Sequence, residues 1–446
     1  MRGSMSGRPR HLRRRTAKPP AGTPRLAGRS APAFVSSLAC VLFSAVALTT
    51  FGSSGTGPRV DRIPSAGAAF HQIATRAHGA KDSAVRWRIA AVQTSFQNGE
   101  LRSVACPAPN NCWAVGDYGR GVMIERLSNG SWKNVYHGMG TTLFGISCPQ
   151  IDDCWAVGSE VPPGAQNADP LVLHYDGTGW TTISVPAPPQ VEGGLRSVSC
   201  NSPQDCWAVG TTDPGGGFTQ GQAGLGYHFD GQSWSEVTFP TITSGVGWEF
   251  TGVSCGSDNC WATGQISTDS NGDNYGLVEH LSGTTWAVNN SPSWANVSLA
   301  AVTCPTESEC LGVGQNSSMT AYIEHGNGAT WIPDDTQPRL GATSVGFTSP
   351  TSELDAIACT SATNCWTGGV APVETGEDPI FVHWNGSIWG SRTSQSPDPG
   401  FHNSGSTDLD SIDSLACIST SNCWAVGTVG GNGTDVFNDP LIVHLS

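Results

Sequence analysis

Lysine is almost missing from this chain: of 446 residues only Lys18, Lys81 and Lys133 are lysines. Arginine is concentrated near the start, so residues 87–446 hold Lys133 and seven arginines against 34 acidic residues, a net charge of −26. A surface of that sign repels nucleic acid and anionic lipid, and it suits an exported protein, a cation or a neutral sugar. Catalytic signatures are also absent: there is no G-x-S-x-G, no phosphate-binding P-loop and no H-E-x-x-H. A long uncharged apolar run occurs once, over residues 31–51, "APAFVSSLACVLFSAVALTTF".

What the chain does have is repetition. "CPAPNNCWAVG" from Cys106 returns as "CPQIDDCWAVG" from Cys148, "CNSPQDCWAVG" from Cys200 and "CGSDNCWATG" from Cys255. It continues as "CPTESECLGVG" from Cys304, "CTSATNCWTGG" from Cys359 and "CISTSNCWAVG" from Cys417. The starts are 42, 52, 55, 49, 55 and 58 residues apart, a period near that of propeller blades. An alternating apolar run such as "LRSVAC" precedes each phrase, and a second run ending like "LVLHYDGTGW" follows it. Alternation of this length is the mark of a half-buried strand, and Asp-Gly or Asn-Gly between two such runs marks a tight hairpin. Each unit therefore reads as four strands: a ends at the first cysteine, b is "CWAVG", c carries a histidine and d begins at a tryptophan.

The two ends of the chain complement each other. The seventh unit stops after strand c at "LIVHLS", while "VRWRIAAV" with Trp87 supplies a d-type strand ahead of the first unit. The expectation is an all-β, seven-bladed β-propeller over residues 86–446, closed by an N-terminal outer strand, an arrangement that leaves no free sheet edge at the seam. It is preceded by a basic segment (1–30), one hydrophobic helix serving as signal peptide or membrane anchor (31–51) and a flexible Gly/Ser/Ala-rich linker (52–85).

Fifteen cysteines divide into seven pairs and Cys40. The pairs Cys106 and Cys112, Cys148 and Cys154, Cys200 and Cys206, Cys255 and Cys260, Cys304 and Cys310, Cys359 and Cys365, and Cys417 and Cys423 each bracket the a–b hairpin, within bridging reach. Zinc is the rival reading, but no further ligand recurs at a fixed offset. Disulfides require an oxidising compartment, and the basic flank with its apolar run directs the propeller outward, to an extracellular site, secreted or anchored. The tryptophan after the second cysteine is expected to pack between blades; the fifth unit uses Leu311.

Units of the form L-x-S-V-x-C-x5-C-W-A-V-G followed by H-x-D/N-G-x-x-W resemble exported bacterial repeat propellers, similar to kelch, WD40-like and sialidase-type propellers. The resemblance covers residues 86–446 and implies the fold. It implies no activity, because one fold hosts many chemistries. "DGTGW" is similar to the sialidase Asp-box but is a residue shorter between Asp and Trp. Seven arginines over the propeller are few for the cluster that a sialidase uses on its substrate carboxylate.

Candidate site residues are sparse. Histidines six residues before the strand-d tryptophans (His174, His228, His280, His325, His383, with His444 in the last unit and Arg126 in the first) are read as structural. The b–c and d–a loops share one face and vary, so ligands are expected there. Arg102 and Arg196 lie on strand a near the channel, and Trp248 and Trp294 in the d–a region are candidate stacking platforms. Asp269, Asn271 and Asp273 in "DSNGDNYG" alternate like calcium ligands, although Asn274 stands where glycine is usual. Calcium is the one cofactor this suggests. The expected function is binding of a carbohydrate or a cell-surface protein by a monomer, with no nucleic-acid partner and membrane contact only through residues 31–51. The alternative is a glycoside hydrolase or lyase with carboxylates at the channel mouth.

Overall fold

The computed structural model describes residues 86–446 except 93–98, 120, 139–140, 166, 187–192, 213–220, 243–244, 257–258, 268–273, 284, 290–296, 317–319, 335–351, 374–375, 391–410 and 431–438. The basic segment, the hydrophobic run and the linker expected over residues 1–85 lie outside the described residues. No described helix is long and apolar enough to cross a membrane.

Among the described residues twenty-eight strands form seven four-stranded antiparallel sheets, each one blade of a β-propeller. Blade 1 is typical: strand a is Gly99–Ala108, b is Asn111–Tyr118, c is Gly121–Ser128 and d is Ser131–His137. The a strands of the other blades are Thr141–Gln150, Gly194–Ser202, Gly247–Gly256, Val297–Thr306, Glu353–Ser361 and Ser411–Ser419. They contact one another in order and close on blade 1, so strand a is the innermost of each blade. In blade 7 the outermost strand is Trp87–Val92, with Trp87 opposite Leu445 and Arg88 opposite His444.

The a–b hairpins run past the cysteines, and seven disulfides close within them at Cα separations of 4.0 to 4.1 Å. Six hairpins carry a bulge beside the cystine, for example between Cys200 and Ser202. The Cys255–Cys260 hairpin, one residue shorter, pairs straight through, with Gly256 opposite Asn259. The single change of spacing in the repeat is thus one bulge residue.

Tryptophan fills the space between blades. The strand-d tryptophan of one blade meets the strand-b tryptophan of the preceding blade edge to face: Trp180 on Trp113 at 5.4 Å, Trp234 on Trp155 at 5.3 Å, Trp331 on Trp261 at 5.4 Å. Trp87 meets Trp366 in the same way at 5.6 Å. Such pairs add about 0.5–1.5 kcal/mol each beyond burial.

The inner strands do not pair with each other, so their backbone donors need other partners. Serine supplies them. Ser414, Ser103 and Ser197 hydroxyls accept the N–H of Val104, Ile146 and Val253 in the following blade. A second tier runs from Ser147, Ser199 and Ser254 to Cys200, Cys255 and Cys304. This accounts for the serines of "LRSVSC".

Candidate functional site at the channel mouth

The glycine that ends "CWAVG" builds the site. Each a strand has a bulge at one place near its start: Leu101 pairs with Gly116 and Ser103 with Val115, which leaves Arg102 unpaired. The same irregularity recurs at Phe144, Arg196, Thr251, Ala300, Asp355 and Asp413. At the bulge the a strand crowds strand b. A Cβ on Gly116, Gly158, Gly210, Gly264, Gly314, Gly369 or Gly427 would stand 1.9 to 2.1 Å from a carbonyl oxygen of strand a. Only glycine fits such a close approach. The bulge residue itself is partly buried, while the residue before it is fully buried in all seven blades.

These seven residues form a ring at the end of the channel away from the disulfides, on the side of the variable b–c and d–a loops. Read around the ring they are Arg, Phe, Arg, Thr, Ala, Asp and Asp. Blades 1 to 3 make a cationic and aromatic wall. The Arg196 guanidinium lies 4.5 Å and that of Arg102 5.3 Å from the centre of the Phe144 ring. Arg102 donates from Nε to Asp117 at 2.8 Å and pairs with Glu100. Burial works against its charge, but Glu100 and Asp117 outweigh burial and raise its pKa. Burial lowers that of Arg196, opposed by Glu249. Glu249 in turn accepts from Gln265 at 2.8 Å, and Gln265 accepts from Asn274 and Ser298.

Blades 6 and 7 make the acidic wall. Asp413 accepts the Ser411 hydroxyl at 2.8 Å. Burial pushes its carboxyl up to about 6 against the Ser411 bond and the charge of Arg102, with Glu100 and Glu353 adding to the rise. Asp355 occupies the equivalent bulge of blade 6. Thr251 and Ala300 separate the two walls on the other side, and the Thr251 hydroxyl donates to the Leu299 carbonyl.

The structure brings Arg102 and Arg196 together, with Phe144 between them. Phe144, Asp355 and Asp413 were not singled out by sequence reasoning. The signal was the aligned column itself, the position after the buried Leu, Phe or Ile, which changes class from blade to blade. Trp248 needs correction as a stacking platform: it is 7% exposed and packs on Phe250 and Phe239, with Gly224 against its ring. The d–a stretch folds inward here because aromatic burial outweighs exposure. Trp294 and the candidate calcium residues Asp269, Asn271 and Asp273 lie outside the described residues. Among the described residues no group of three or more His, Cys, Asp or Glu is placed to hold a metal.

The strand-c histidines have a structural place. His174, His228, His280 and His444 stack on Trp155, Trp207, Trp261 and Trp424 at 4.0 to 4.1 Å. Their Nε2 atoms meet the residue just before the second cysteine, as in His174 with Asp153 at 3.2 Å and His228 with Asp205 at 2.9 Å. In blade 1 Arg126 stacks on Trp113 instead. The Asp-Gly and Asn-Gly turns are structural too: Asp176, Asp230, Asn327 and Asn385 each accept backbone N–H groups two and three residues on.

Three buried glutamates lie outside the channel. Glu125, Glu279 and Glu324 on strand c are fully buried between blades, and burial raises their carboxyls to about 7, 8 and 8.

No family model matches the chain and no curated protein matches it. Solved structures share the fold. The structure of YCF48 bound to D1 peptide aligns with a TM-score of 0.50 at 13% identity, over 82% of this chain and 96% of that one. A GH74 xyloglucanase from Xanthomonas campestris gives 0.49 at 13% identity, over 79% of this chain and 55% of that one. The Trypanosoma rangeli sialidase gives 0.44 at 13% identity, over 71% and 55%. At these identities the likeness is one of fold: the chain is a β-propeller protein.

Proposed function

We propose that this protein is an exported binding module, a disulfide-stapled propeller that takes a carbohydrate or protein ligand at the cell surface through the channel mouth. One observation carries the reading. The bulge column of the inner strands runs Arg, Phe, Arg, Thr, Ala, Asp and Asp from blade to blade, and it is held in place by a glycine that every blade keeps. A rigid frame that presents a variable ring of polar and aromatic groups is the arrangement of a recognition site. Seven disulfides are consistent with an oxidising, extracellular setting, and the apolar run 31–51 is the segment that would carry the chain there, as leader or anchor. YCF48 bound to D1 peptide is an instance of a similar fold holding a peptide.

Hydrolysis of a bound glycan is the second reading, favoured by Asp413, whose carboxyl is held near 6 in an acidic wall. The test is a parallel glycan and peptide array probed with the purified chain, with calcium and with chelator. Selective binding that Phe144→Ala removes supports the module. Fragments released from a bound glycan would move the protein to the hydrolases. Binding lost with chelator would implicate the loop of Asp269, Asn271 and Asp273.

A further inference from the structure

Four c–d turns of the propeller are built alike. Asp176-Gly177 in blade 2, Asp230-Gly231 in blade 3, Asn327-Gly328 in blade 5 and Asn385-Gly386 in blade 6 each present a side-chain Oδ1 that accepts the N–H groups two and three residues on. The glycine of each turn has a φ of 83 to 89°. Its own N–H finds no acceptor among the described residues. Asn327 and Asn385 are exposed. In these two turns a free backbone nitrogen therefore stands one five-membered ring away from an amide carbon whose oxygen is already held by N–H donors. We propose that Asn327 and Asn385 are sites of spontaneous deamidation, in which Gly328 and Gly386 close a cyclic imide on the asparagine side chain.

The conversion balances with water as its only co-reactant. The glycine nitrogen gives up its proton and bonds to the asparagine Cγ, and the side-chain nitrogen leaves as ammonia. Water then opens the imide. Attack at Cγ breaks the new bond and yields aspartate; attack at the main-chain carbonyl breaks the old peptide bond and yields isoaspartate. As the ring closes, negative charge gathers on Oδ1, where two backbone N–H groups already point, joined at Asn327 by the Thr330 hydroxyl. Glycine adds no side chain beside the attacking nitrogen. The aspartate product fits, because blades 2 and 3 carry it in the same turn. There the Thr178 hydroxyl and backbone hold the Asp176 carboxyl at about 2, and the N–H groups of Ser233 and Gln232 lower that of Asp230. Blade 1 supplies the contrast. Asn129-Gly130-Ser131 has the same three residues as Asn385-Gly386-Ser387. Its turn is instead a two-residue hairpin, with Ser128 opposite Ser131 and Asn129 itself at a φ of 53°. Among the described residues no donor reaches the Asn129 Oδ1.

The experiment ages the purified, folded full chain in mildly alkaline buffer and follows each asparagine by peptide mapping. Mass reports the change of amide to acid, and an isoaspartate-specific methylation assay reports the branched product. Asn327 and Asn385 should convert at least about threefold faster than Asn129. A parallel sample, reduced and unfolded in denaturant, has no turns, and there Asn385 and Asn129 should convert alike because their tripeptides are identical. Thr330→Val removes one donor to the Asn327 Oδ1 and should slow that site while leaving Asn385 unchanged. Equal rates at Asn385 and Asn129 in the folded chain overturn the proposal. Faster conversion of Asn385 in the unfolded chain than in the folded one also overturns it, since the turn would then protect the amide.

Discussion

The guanidinium carbon of Arg196 lies 4.5 Å from the centre of the Phe144 ring, from one blade to the next across the inner strands. Both residues are the extra members of equivalent bulges, so the contact depends on two backbone irregularities being in register. A double-mutant cycle with Phe144→Ala and Arg196→Ala should give a coupling in stability of about 0.5–1 kcal/mol, the usual worth of a partly exposed cation–π pair. Denaturant unfolding of the four chains measures it, and additivity would show that the stack is not formed.

Glycine at the bulge has a direct test. Gly210→Ala would place a methyl group 2.0 Å from the Gly194 carbonyl oxygen, backbone against backbone. The expected loss is about 2 kcal/mol or more, toward the upper end for overpacking. Gly179→Ala, whose Cβ meets nothing within 4 Å, should stay within about 0.5 kcal/mol of the parent.

The buried glutamates make stability fall with rising pH. Burial raises the folded-state carboxyls of Glu279 and Glu324 to about 8 from the ordinary 4.5. Between those values the folded chain holds protons that the unfolded chain releases, so stability is fully present below about 4.5 and is lost as pH climbs toward 8. The thermal midpoint should drop steadily from pH 5 to pH 8. Glu279→Leu should flatten part of that slope and raise the midpoint at pH 8. Leu173 already holds the same register position in blade 2, opposite Ala156 as Glu279 is opposite Ala262.

Each cystine closes a short loop. Removing the Cys200–Cys206 bridge by paired serine substitution should cost about 2 kcal/mol by loop-closure entropy. Alkylation without reductant, read by intact mass, should label no cysteine between residues 86 and 446. Two or more labelled sites there would break the seven-bridge scheme.

Blade 5 predicts its own exception. Leu311 takes the place of the strand-b tryptophan beside His325, which meets Trp384 edge to face at 5.4 Å and turns Nε2 to Asp334 at 2.9 Å. The same carboxylate accepts the Trp389 indole N–H at 2.8 Å. Asp334→Ala strands that buried donor and should cost about 1–3 kcal/mol in a denaturant melt. Asp205→Ala, which removes a half-exposed partner of His228, should cost less than about 1 kcal/mol.

The legible part of this protein is the part that repeats. Seven returns of a cysteine phrase, alternation on either side and Asp-Gly or Asn-Gly turns are local signals, and local signals determine strands, hairpins and short-range disulfides. The number of blades follows by counting. The histidine column was legible as structural, although its stack on tryptophan was not, because that contact joins strands b and c through a register no single strand states.

The sequence by itself determined a seven-bladed, stapled propeller with an acidic surface. Only the tertiary structure decided which residues meet at the channel mouth. Arg102 and Arg196 stand out in the sequence only as two separate strand-a arginines, Phe144 passes unremarked between them, and Trp248 looks like an exposed aromatic. The bulge turns the first three into one wall, and burial against Phe239 and Phe250 removes the fourth. Pairing register and interblade packing are set beyond the single strand: the bulge brings a strand-a carbonyl too close to a strand-b glycine to admit a Cβ, and the contacts of Arg102 and Arg196 with Phe144 join neighbouring blades.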